Sequence, residues 1–405
     1  MKKTLVMIMA GGQGERLYPL TKEKAKPAVT FGGIYKIIDF TLSNCLNSNI
    51  RQIYLLTQYS NATLDKHIRL GWNIFNQELG EFLHNVPPQK VFLDEWYRGT
   101  ADAIFQNLII LDQERPDDVL ILSGDHIYKM DYRKILQYHK SKGSDLTLAC
   151  VELDIQECKQ MGVIQVDADY RVIGFQEKPS SPKPLPSDPT KALASMGVYV
   201  FKTEPLVREL IYDAKRDSVH DFGKNIIPRM IRRRKVFAYD FRDESERKSN
   251  YWRDVGSLDS YYRTNMELLL EDPPFNLHEN KWPIRTYQVQ TPPAKIINKT
   301  FKETNNTGTI INSIISNGCF IDGGIVKHSI LSPFVHIKNE SAVEDSILMK
   351  GVTVDHHSRI RRAIVDEDIK IPPHFSIGYN LERDKERFVV TKSGIVMVPK
   401  ASIIV

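Results

Sequence analysis

The 405-residue sequence predicts two domains, an α/β domain with a mostly parallel, Rossmann-like sheet and then a left-handed parallel β-helix. The chain is too long for one ordinary hydrophobic core. Its first two-thirds alternate short apolar strands with helical patterns, as α/β sheets do. From about residue 309 aliphatic residues instead recur at steps of six. The predicted boundaries are 1–275 for the α/β domain, 276–308 for a linker and 309–405 for the β-helix.

Short apolar runs of the α/β domain predict its strands, and helical periodicity between them predicts its helices. The predicted strands are Leu5–Ala10, Gln52–Thr57, Lys90–Leu93, Val119–Ser123, Leu146–Val151, Val163–Val166, Val172–Phe175, Ala194–Phe201 and Val236–Asp240. The predicted helices include Ala101–Gln113, Tyr132–Lys142 and Ser257–Leu270, with Ser257 as an N-cap of the last. Asp272-Pro273-Pro274 then marks the start of a linker.

The second domain is predicted from the spacing of its aliphatic residues. The positions in step are Ile315 and Ile321; Leu331, Ile337 and Val343; Leu348, Val354 and Ile360; Val365, Ile371 and Ile377. In hexapeptide coils each face of a triangular turn directs one aliphatic side chain inward, and stacking buries these side chains in columns. The alternative is a β-sandwich in which this spacing is a coincidence.

Composition limits the class of protein and its partners. A content of 41% apolar and 26% charged residues is typical of a soluble globular protein. A net charge of +5 is small for this length and argues neither for nor against the binding of a polyanion. We expect neither a nucleic acid nor a membrane as partner. Four cysteines without metal-type spacing are typical of reduced thiols, and no stretch is long enough to span a bilayer. We therefore expect a cytoplasmic protein.

A glycine-rich loop follows the first predicted strand directly. Gly11, Gly12 and Gly14 lie in four consecutive positions, where the absence of a Cβ lets the backbone approach a ligand closely. Backbone N–H groups at the carboxyl end of a parallel strand form an anion cradle. Arg16 and Lys26 add positive charge to this loop. A tight structural turn is the alternative, but glycines followed by basic residues favour a nucleoside triphosphate site.

Two aspartates are candidate ligands of Mg²⁺. Asp125 follows a predicted buried strand, so it should lie at the same sheet edge as the glycine loop. Asp254 lies within Tyr251-Trp-Arg-Asp-Val-Gly256. Two carboxylates beside phosphates suit Mg²⁺, which prefers hard oxygen ligands. Alternatively each aspartate caps a turn or pairs with a neighbour, as Asp254 could with Arg253.

Weaker signals come from two further segments. In Glu177-Lys178-Pro179 the glutamate could accept hydrogen bonds from sugar hydroxyls and the lysine could hold a sugar phosphate, although such tripeptides are usually surface turns. Tyr97 in Tyr-Arg-Gly-Thr100 could pack against a nucleotide ring, or the segment could be a plain loop with Thr100 as N-cap. His126 is interpreted as structural rather than catalytic.

Together these segments resemble those of a known enzyme family. AGGQGERLYPLT, AKPAV, WYRGTADA, GDHIYKMDY, EKP, SMGVYVF, HDFGK, YWRDVG and WPIRT stand in the order that they take in bacterial ADP-glucose pyrophosphorylases (glucose-1-phosphate adenylyltransferases). The likeness covers nearly the whole chain, including the hexapeptide region. The glycine loop and EKP would fit any sugar-nucleotide pyrophosphorylase, whereas WYRGTADA, GDHIYKMDY and the YWRDVG–WPIRT pair indicate the ADP-glucose branch.

The resemblance implies a nucleotidyltransferase that converts ATP and glucose 1-phosphate to ADP-glucose and pyrophosphate, the committed step of bacterial glycogen synthesis. It implies Mg²⁺ held by Asp125 and Asp254, and a triphosphate steadied by Arg16 and Lys26. It places Tyr97 beside the nucleotide. It places around glucose 1-phosphate the residues Gly162, Glu177, Lys178 and Ser195. Because the attacking phosphate oxygen is already ionised, alignment and charge neutralisation suffice without a general base. The family is commonly a homotetramer controlled by small-molecule effectors.

Three residues depart from the family's usual pattern. Many relatives have Arg or Lys where Gln13 stands and Thr where Glu15 stands, and some activator-responsive relatives have a basic residue where Glu23 stands. An acidic Glu23 would weaken the binding of a phosphorylated effector.

Other hypotheses about function remain open. They are a transferase for a different nucleotide or sugar, a regulatory subunit without turnover, and an acyltransferase whose β-helix carries the catalytic histidine. The histidines that keep the last idea open are His328, His336, His356 and His357.

Overall fold

A computed structural model describes residues 3–12, 14–59, 62–88, 96–242, 249–298, 308–400 and 402. The chain forms two compact units. The sheet unit consists of Met1–Gly12, Thr41–Asn61 and Asn73–Trp252, and the coil unit consists of Gln13–Phe40, Ala62–Trp72 and Arg253–Val405.

The strands before residue 300 range in length from two to twelve residues. They are β1 (Thr4–Met9), β2 (Thr30–Phe31), β3 (Tyr35–Lys36), β4 (Gln52–Leu56), β5 (Phe82–Val86), β6 (Asp118–Ser123), β7 (His126–Tyr128), β8 (Leu146–Asp154), β9 (Gly162–Val166), β10 (Val172–Glu177), β11 (Lys191–Lys202), β12 (Val236–Asp240), β13 (Trp252–Asp254) and β14 (Lys295–Ile297). Most of the predicted strands agree with these bounds to within one to three residues.

The sheet unit is built on one large sheet whose path is β10-β9-β11-β6-β1-β4-β5, with β8 paired to β11 and β12 paired to β8. The pairings β1–β4, β1–β6, β4–β5 and β8–β12 are parallel, whereas β11 runs antiparallel to β6, β8 and β9, and β10 runs antiparallel to β9. Seven of these nine described strands therefore point the same way, which is the mostly parallel sheet that was predicted.

Helices flank the strands in both units. They are α1 (Ile37–Asn47), α2 (Ala62–Gly71), α3 (Thr100–Phe105), α4 (Leu108–Glu114), α5 (Tyr132–Ser141), α6 (Thr203–Ala214), α7 (Ile227–Ile231), α8 (Leu258–Met266) and α9 (Leu381–Lys385). Short 3₁₀ helices are Glu15–Leu17, Lys26–Ala28, Gln77–Leu79, Glu157–Gln160 and Glu267–Leu269, and Phe222–Ile226 is a turn of π-helix. No helix among the described residues is long and apolar enough to cross a membrane.

The coil unit contains a parallel β-helix of three sheets. Its strands are β15 (Thr309–Ile311), β16 (Ile314–Ile315), β17 (Phe320–Asp322), β18 (Ile325–Lys327), β19 (Ile330–Leu331), β20 (His336–Ile337), β21 (Ala342–Glu344), β22 (Ile347–Leu348), β23 (Thr353–Val354), β24 (Arg359–Arg361), β25 (Ala363–Val365), β26 (Lys370–Ile371), β27 (Ser376–Ile377), β28 (Val389–Val390) and β29 (Val396–Val398). Successive coils stack in parallel, as in β14-β17-β20-β23-β26 and β15-β18-β21-β24-β27.

The predicted hexapeptide positions form the core of this β-helix. From Ile321 to Ile377 the predicted side chains are no more than 1% exposed and belong to one apolar cluster, against which Ile315 packs in a half-buried position. A stack of parallel coils about 4.8 Å apart repeats the same inward direction at every turn, which is why the step of six predicts the core.

The segments that precede the β-helix in the coil unit are joined by buried hydrogen bonds. The Asp39 carboxylate, on α1, accepts from Trp72 Nε1 at 2.8 Å and lies 2.6 Å from His67 Nε2 on α2. The Asn265 side chain on α8 accepts from the Gly32 N–H at 2.9 Å. Helix α8 begins at the predicted cap, because Ser257 and Ser260 form a reciprocal capping box.

Some predictions about elements were wrong or cannot be placed. The predicted helix Ala101–Gln113 is two helices, α3 and α4, because the chain turns at Asn107, whose amide donates to the Ala103 carbonyl at 2.8 Å. Strand β5 was not predicted. The predicted strand Lys90–Leu93 and the departure at Gln13 lie outside the described residues. The domain boundaries at 275 and 308 stay a prediction.

Candidate active site

The glycine loop and Asp125 follow neighbouring strands of the sheet unit. In β1 and β6, which are parallel, Met9 lies opposite Ser123, so Gly11 and Asp125 each come two residues after the end of a paired strand. The Gly124 N–H also donates to the Met9 carbonyl at 3.0 Å. The predicted placement of Asp125 at the sheet edge of the glycine loop is therefore observed, by the register that joins the two strands.

Two of the three glycines occupy positions that a side chain would strain, for reasons within the protein. A Cβ added at Gly11 would lie 2.9 Å from the Gln58 Cβ, whereas one at Gly12 would meet no described atom within 4 Å. Gly14 has φ +66°, a conformation in which a side chain is strained. Its carbonyl accepts from Thr21 Oγ1 at 2.9 Å. The first two glycines belong to the sheet unit and Gly14 belongs to the coil unit.

Asp125 lies in a partly exposed polar setting. One carboxylate oxygen accepts from the Ser123 hydroxyl, and His126 Nε2 lies 3.4 Å from the same oxygen. The His126 ring packs edge-on against Trp252 with 4.8 Å between centroids. This packing fits the structural interpretation of His126, while the 29% exposed side chain of Asp125 remains accessible to a ligand.

Three of the predicted site residues meet within the coil unit. Lys26 Nζ lies 2.8 Å from Asp254 Oδ1, and an Arg16 guanidinium nitrogen lies 3.6 Å from Asp254 Oδ2. The Lys26 side chain is 7% exposed, that of Asp254 16% and that of Arg16 53%. Gly256 leaves room for this group, since a Cβ there would lie 2.8 Å from the Arg16 guanidinium and 2.9 Å from both Asp254 oxygens.

Asp254 and its neighbour Arg253 both have partners elsewhere in the chain. Arg253 Nε lies 3.7 Å from Glu267 Oε2, whereas Asp254 contacts Lys26 and Arg16. In a β-strand adjacent side chains point to opposite sides, and these two residues are consecutive in β13. The carboxylate of Asp254 therefore faces Lys26, a residue 228 positions away in the sequence.

The segment around Tyr97 is hydrogen-bonded to residues 220 and 221, which precede the π-helical turn. The Tyr97 hydroxyl accepts from the Asn107 amide at 3.0 Å, and burial raises its pKa above the ordinary value. Thr100 is the first residue of α3 rather than its cap, and its hydroxyl donates to Asp221 at 2.9 Å. The Ala101 N–H donates to the His220 carbonyl at 2.9 Å. These contacts hold the start of α3, next to Tyr97, against residues 220 and 221.

Gly162, Glu177 and Lys178 lie together where β9 and β10 pair. Glu177 is opposite Gly162 in the antiparallel register, and the Lys178 N–H donates to the Met161 carbonyl at 3.0 Å. Lys178 has φ +47°, so the chain turns sharply there. Its ammonium is 3.8 Å from Glu177, and its side chain is 56% exposed. The lysine is thus available to an anion from solvent.

Ser195 and Glu177 lie in more buried surroundings. The hydroxyl of Ser195 on β11 is 3.3 Å from that of Tyr199. Burial, and then the neighbouring charge of Asp221, raise the pKa of the Glu177 carboxyl above its ordinary value. A Cβ at Gly223 would collide with that carboxylate. Sequence reasoning missed Tyr199 and Asp221 as neighbours of this group, although the quoted segments SMGVYVF and HDFGK contain them.

A cavity of about 500 Å³ lies within the coil unit. Its lining includes three lysines, Lys36, Lys66 and Lys350, together with His67 and Glu367. Burial lowers the pKa of Lys36, and Glu367, 3.7 Å away, opposes that shift. The cavity thus has a basic lining with one carboxylate.

Comparison with known proteins agrees with both parts of the fold. The profile of the Nucleotidyl transferase family matches residues 5–271, and that of the GlmU-like, C-terminal hexapeptide family matches residues 292–398. The glucose-1-phosphate adenylyltransferase of Rhodopirellula baltica is 48% identical over 100% of this chain and 91% of its own length. That of Koribacter versatilis is 49% identical over 99% and 96%. Glucose-1-phosphate adenylyltransferase 2 of Vibrio cholerae is 47% identical over 99% and 98%.

The mostly parallel sheet, the glycine loop and these matches define a nucleotidyltransferase that carries a hexapeptide β-helix. The relatives share nearly half of their residues with this chain over almost its entire length. The chain belongs to the glucose-1-phosphate adenylyltransferase family. The predicted fold class and family are confirmed.

Proposed function

We propose that this protein transfers the adenylyl group of ATP to glucose 1-phosphate, giving ADP-glucose and pyrophosphate for glycogen synthesis. The similarity over full length to enzymes that bear this name carries the proposal. The cations Arg16 and Lys26, grouped at Asp254, support it, because positive charges suit a triphosphate.

The chain's own residues would act by binding and by neutralising charge. The backbone at Gly11, Gly12 and Gly14 would cradle phosphate oxygens, while Arg16 and Lys26 would offset the charge that grows on the leaving pyrophosphate. The exposed Lys178 would hold the phosphate of glucose 1-phosphate, and this phosphate would attack the α-phosphorus of ATP in line. Glu177, Gly162 and Ser195 would surround the sugar, and Tyr97 would lie beside the base.

Asp125 and Asp254 remain the proposed ligands of Mg²⁺, on the sequence argument. Carboxylate oxygens are donors that Mg²⁺ prefers, and both side chains are partly exposed, at 29% and 16%. The residues therefore fit a divalent cation, although a metal at Asp254 would have to share that carboxylate with Lys26. When bound, Mg²⁺ would polarise the phosphates and offset their charge.

The nucleotide is tested by pyrophosphate release from purified protein with Mg²⁺ and glucose 1-phosphate. We expect release with ATP and not with UTP, GTP or dTTP. Release with another triphosphate would keep the chemistry but overturn the adenylyl assignment. No release with any of the four, with sugar-phosphate effectors added, would favour the regulatory subunit without turnover.

The metal assignment is tested by Asp125→Asn, which keeps the size of the side chain and removes its charge. We expect turnover to fall by at least about a thousandfold while the unfolding midpoint is retained, since charge stabilisation at phosphoryl groups supplies several kcal/mol. Exposed Asp217→Asn is the control. Near-normal rates in Asp125→Asn would show that the metal ligands lie elsewhere.

Regulation, assembly and location also remain proposals. We propose a cytoplasmic homotetramer with small-molecule effectors, and the cavity lined by Lys36, Lys66 and Lys350 supports an anionic effector. Sedimentation measures the assembly. Rate assays with phosphorylated sugars and nucleotides, comparing wild type with Lys66→Ala, test the cavity: unchanged activation in the variant would exclude it as the effector site.

The acidic side chain of Glu23 is expected to weaken the binding of a phosphorylated activator. The variant Glu23→Lys should therefore bind such an activator more tightly than wild type.

A further inference from the structure

One corner of the β-helix carries three histidines. Two-residue turns at this corner join β20 to β21, β23 to β24 and β26 to β27. The turns of these consecutive coils are residues 339–340, 356–357 and 373–374. The second residue of each turn, Glu340, His357 and His374 respectively, has φ between +57° and +59°. The spacing of 17 residues stacks these positions on one another, and His356 precedes His357 in the middle turn.

Hydrogen bonds between the turns fix this stack. The His357 N–H donates to the Asn339 carbonyl at 3.3 Å, and the His374 N–H donates to the His356 carbonyl at 3.1 Å. Because adjacent parallel strands are about 4.8 Å apart, side chains at equivalent corner positions are held at that separation. The position of the histidines is therefore set by the coil repeat and not by a flexible loop.

The three imidazoles converge. One nitrogen of each of His356, His357 and His374 lies within 4.8 Å of the others. The rings of His357 and His374 are stacked with 4.8 Å between centroids, and His356 meets each of them edge-on at 5.2 and 5.3 Å. A tetrahedral Zn²⁺ with bonds of about 2.0–2.1 Å needs nitrogens about 3.4 Å apart. Small side-chain rotations that move each nitrogen by about 1 Å would bring the nitrogens to that spacing, and such rotations are easy for exposed or half-exposed rings.

Carboxylates beside the rings complete the pattern of a metal site. Glu340 Oε2 lies 3.1 Å from His357 Nδ1, so that nitrogen can donate and leave Nε2 for a ligand bond. Asp355 Oδ1 lies 3.9 Å from His356 Nε2, too far for a hydrogen bond. In metal sites a hydrogen-bonded carboxylate, placed as Glu340 is, commonly orients a ligating histidine and makes it more basic.

We propose that His356, His357 and His374 form a site for a borderline transition-metal ion of the Zn²⁺ class, with an outer position open to solvent. Three imidazole nitrogens suit Zn²⁺, Co²⁺, Ni²⁺ and Cu²⁺ and do not suit Mg²⁺. Since His374 lies one coil beyond the other two, the ion cross-links consecutive coils and stabilises the β-helix when it is bound. The site is independent of the adenylyl transfer proposed above.

The chain offers a matched control at another corner. His328 also has a positive φ, +44°, lies one coil before Asp345 and contacts that carboxylate at 3.6 Å. It is not among the converging histidines. Asparagine tolerates the left-handed conformation but lacks imidazole, so His357→Asn, His374→Asn and His328→Asn are expected to keep the turns folded.

The experiment is a Zn²⁺ competition titration against a chromogenic chelator, on full-length protein stripped with EDTA and kept in millimolar Mg²⁺ to occupy carboxylate sites. We expect one equivalent of Zn²⁺, a loss of affinity of at least tenfold in His357→Asn and in His374→Asn, and wild-type affinity in His328→Asn. X-ray absorption of the bound Zn²⁺ should show nitrogen neighbours at about 2.0–2.1 Å. Zn²⁺ should raise the unfolding temperature of wild type and of His328→Asn more than that of His357→Asn or His374→Asn.

Two results would overturn the proposal. Wild-type protein that takes up no Zn²⁺ would show that the histidines are only packed together. Equal affinity in wild type and in the double variant of His357→Asn and His374→Asn would place the bound ion elsewhere on the chain. Circular dichroism of each variant confirms that the coils are still formed.

Discussion

Two lysines that are two residues apart, Lys24 and Lys26, are buried to nearly the same extent, at 5% and 6% exposure, and have different partners. Lys26 Nζ lies 2.8 Å from Asp254, a residue of the proposed site. Lys24 Nζ lies 3.2 Å from both Asp366 and Glu367 of the β-helix. Two lysines of one loop thus belong to different groups of the coil unit: Lys26 to the proposed active site and Lys24 to an ion-pair group with the β-helix.

The charge balance around the two lysines also differs. Burial alone would lower the pKa of Lys24, but Asp366 and Glu367 outweigh it and raise that pKa above its ordinary value. Lys36 approaches Glu367 at 3.7 Å, so each buried charge there has a counter-charge inside the protein. The group at Asp254 includes Arg16, whose side chain is half exposed and can bind an external anion. We infer that the Lys24 group stabilises the fold, whereas the Lys26 group acts on substrate.

The largest expected effect is the loss of activity in Lys26→Met. We expect kcat to fall by about a thousandfold, or about 4 kcal/mol, because a charge that stabilises the leaving pyrophosphate is removed. Pyrophosphate release per folded molecule measures it, and Lys22→Met, an exposed lysine of the same loop, is the control. If kcat were retained, the two lysines would not differ in function.

Lys24→Met should instead cost stability. Breaking a buried ion pair by removing one partner costs about 3–5 kcal/mol, because Asp366 and Glu367 lose a counter-charge in a buried setting. Urea unfolding measures the free energy, and Lys24→Arg should recover part of it. A variant with normal stability and lost turnover would move Lys24 to the active site.

Lys178→Ala extends the comparison to a lysine that is 56% exposed and is held only loosely by Glu177, at 3.8 Å. We expect KM for glucose 1-phosphate to rise by about tenfold to a hundredfold, as for one lost charge-assisted phosphate contact of about 1.5–3 kcal/mol. KM for ATP should change little, and exposed Lys183→Ala should change neither. A rise confined to ATP would refute the sugar-phosphate assignment.

The smallest effect concerns acid stability. Burial alone would raise the pKa of Glu367, but Lys36 and Lys24 lower it below its ordinary value of 4.5. The stabilisation from this carboxylate is therefore present above that ordinary value and is lost as the pH falls through the lower folded pKa. Glu367→Gln should lose less stability than wild type on acidification, as measured by urea unfolding at several pH values. An unchanged slope, equal to that of exposed Glu382→Gln, would mean that the buried pairing contributes nothing.

Much of the fold and of the candidate site could be predicted because the information is local. The step of six from Ile321 to Ile377 specifies inward-facing positions whatever the rest of the chain does. The apolar run of β1 and the glycines after it specify a strand and a loop for the same reason. The quoted segments were sufficient to predict the family, which the comparisons confirmed.

Other features were decided by tertiary structure alone. The sequence left Asp254 beside Arg253 as an alternative, and only the fold brought Lys26 to it from 228 residues away. In the same way Lys24 meets Asp366 across 342 residues, and the histidines at 356, 357 and 374 meet because coils stack. The periodicity of apolar residues predicts which side of a strand or helix is buried, because that pattern is formed by residues close together in the sequence. Which charge meets which counter-charge depends on the packing of distant segments, and no local pattern encodes it.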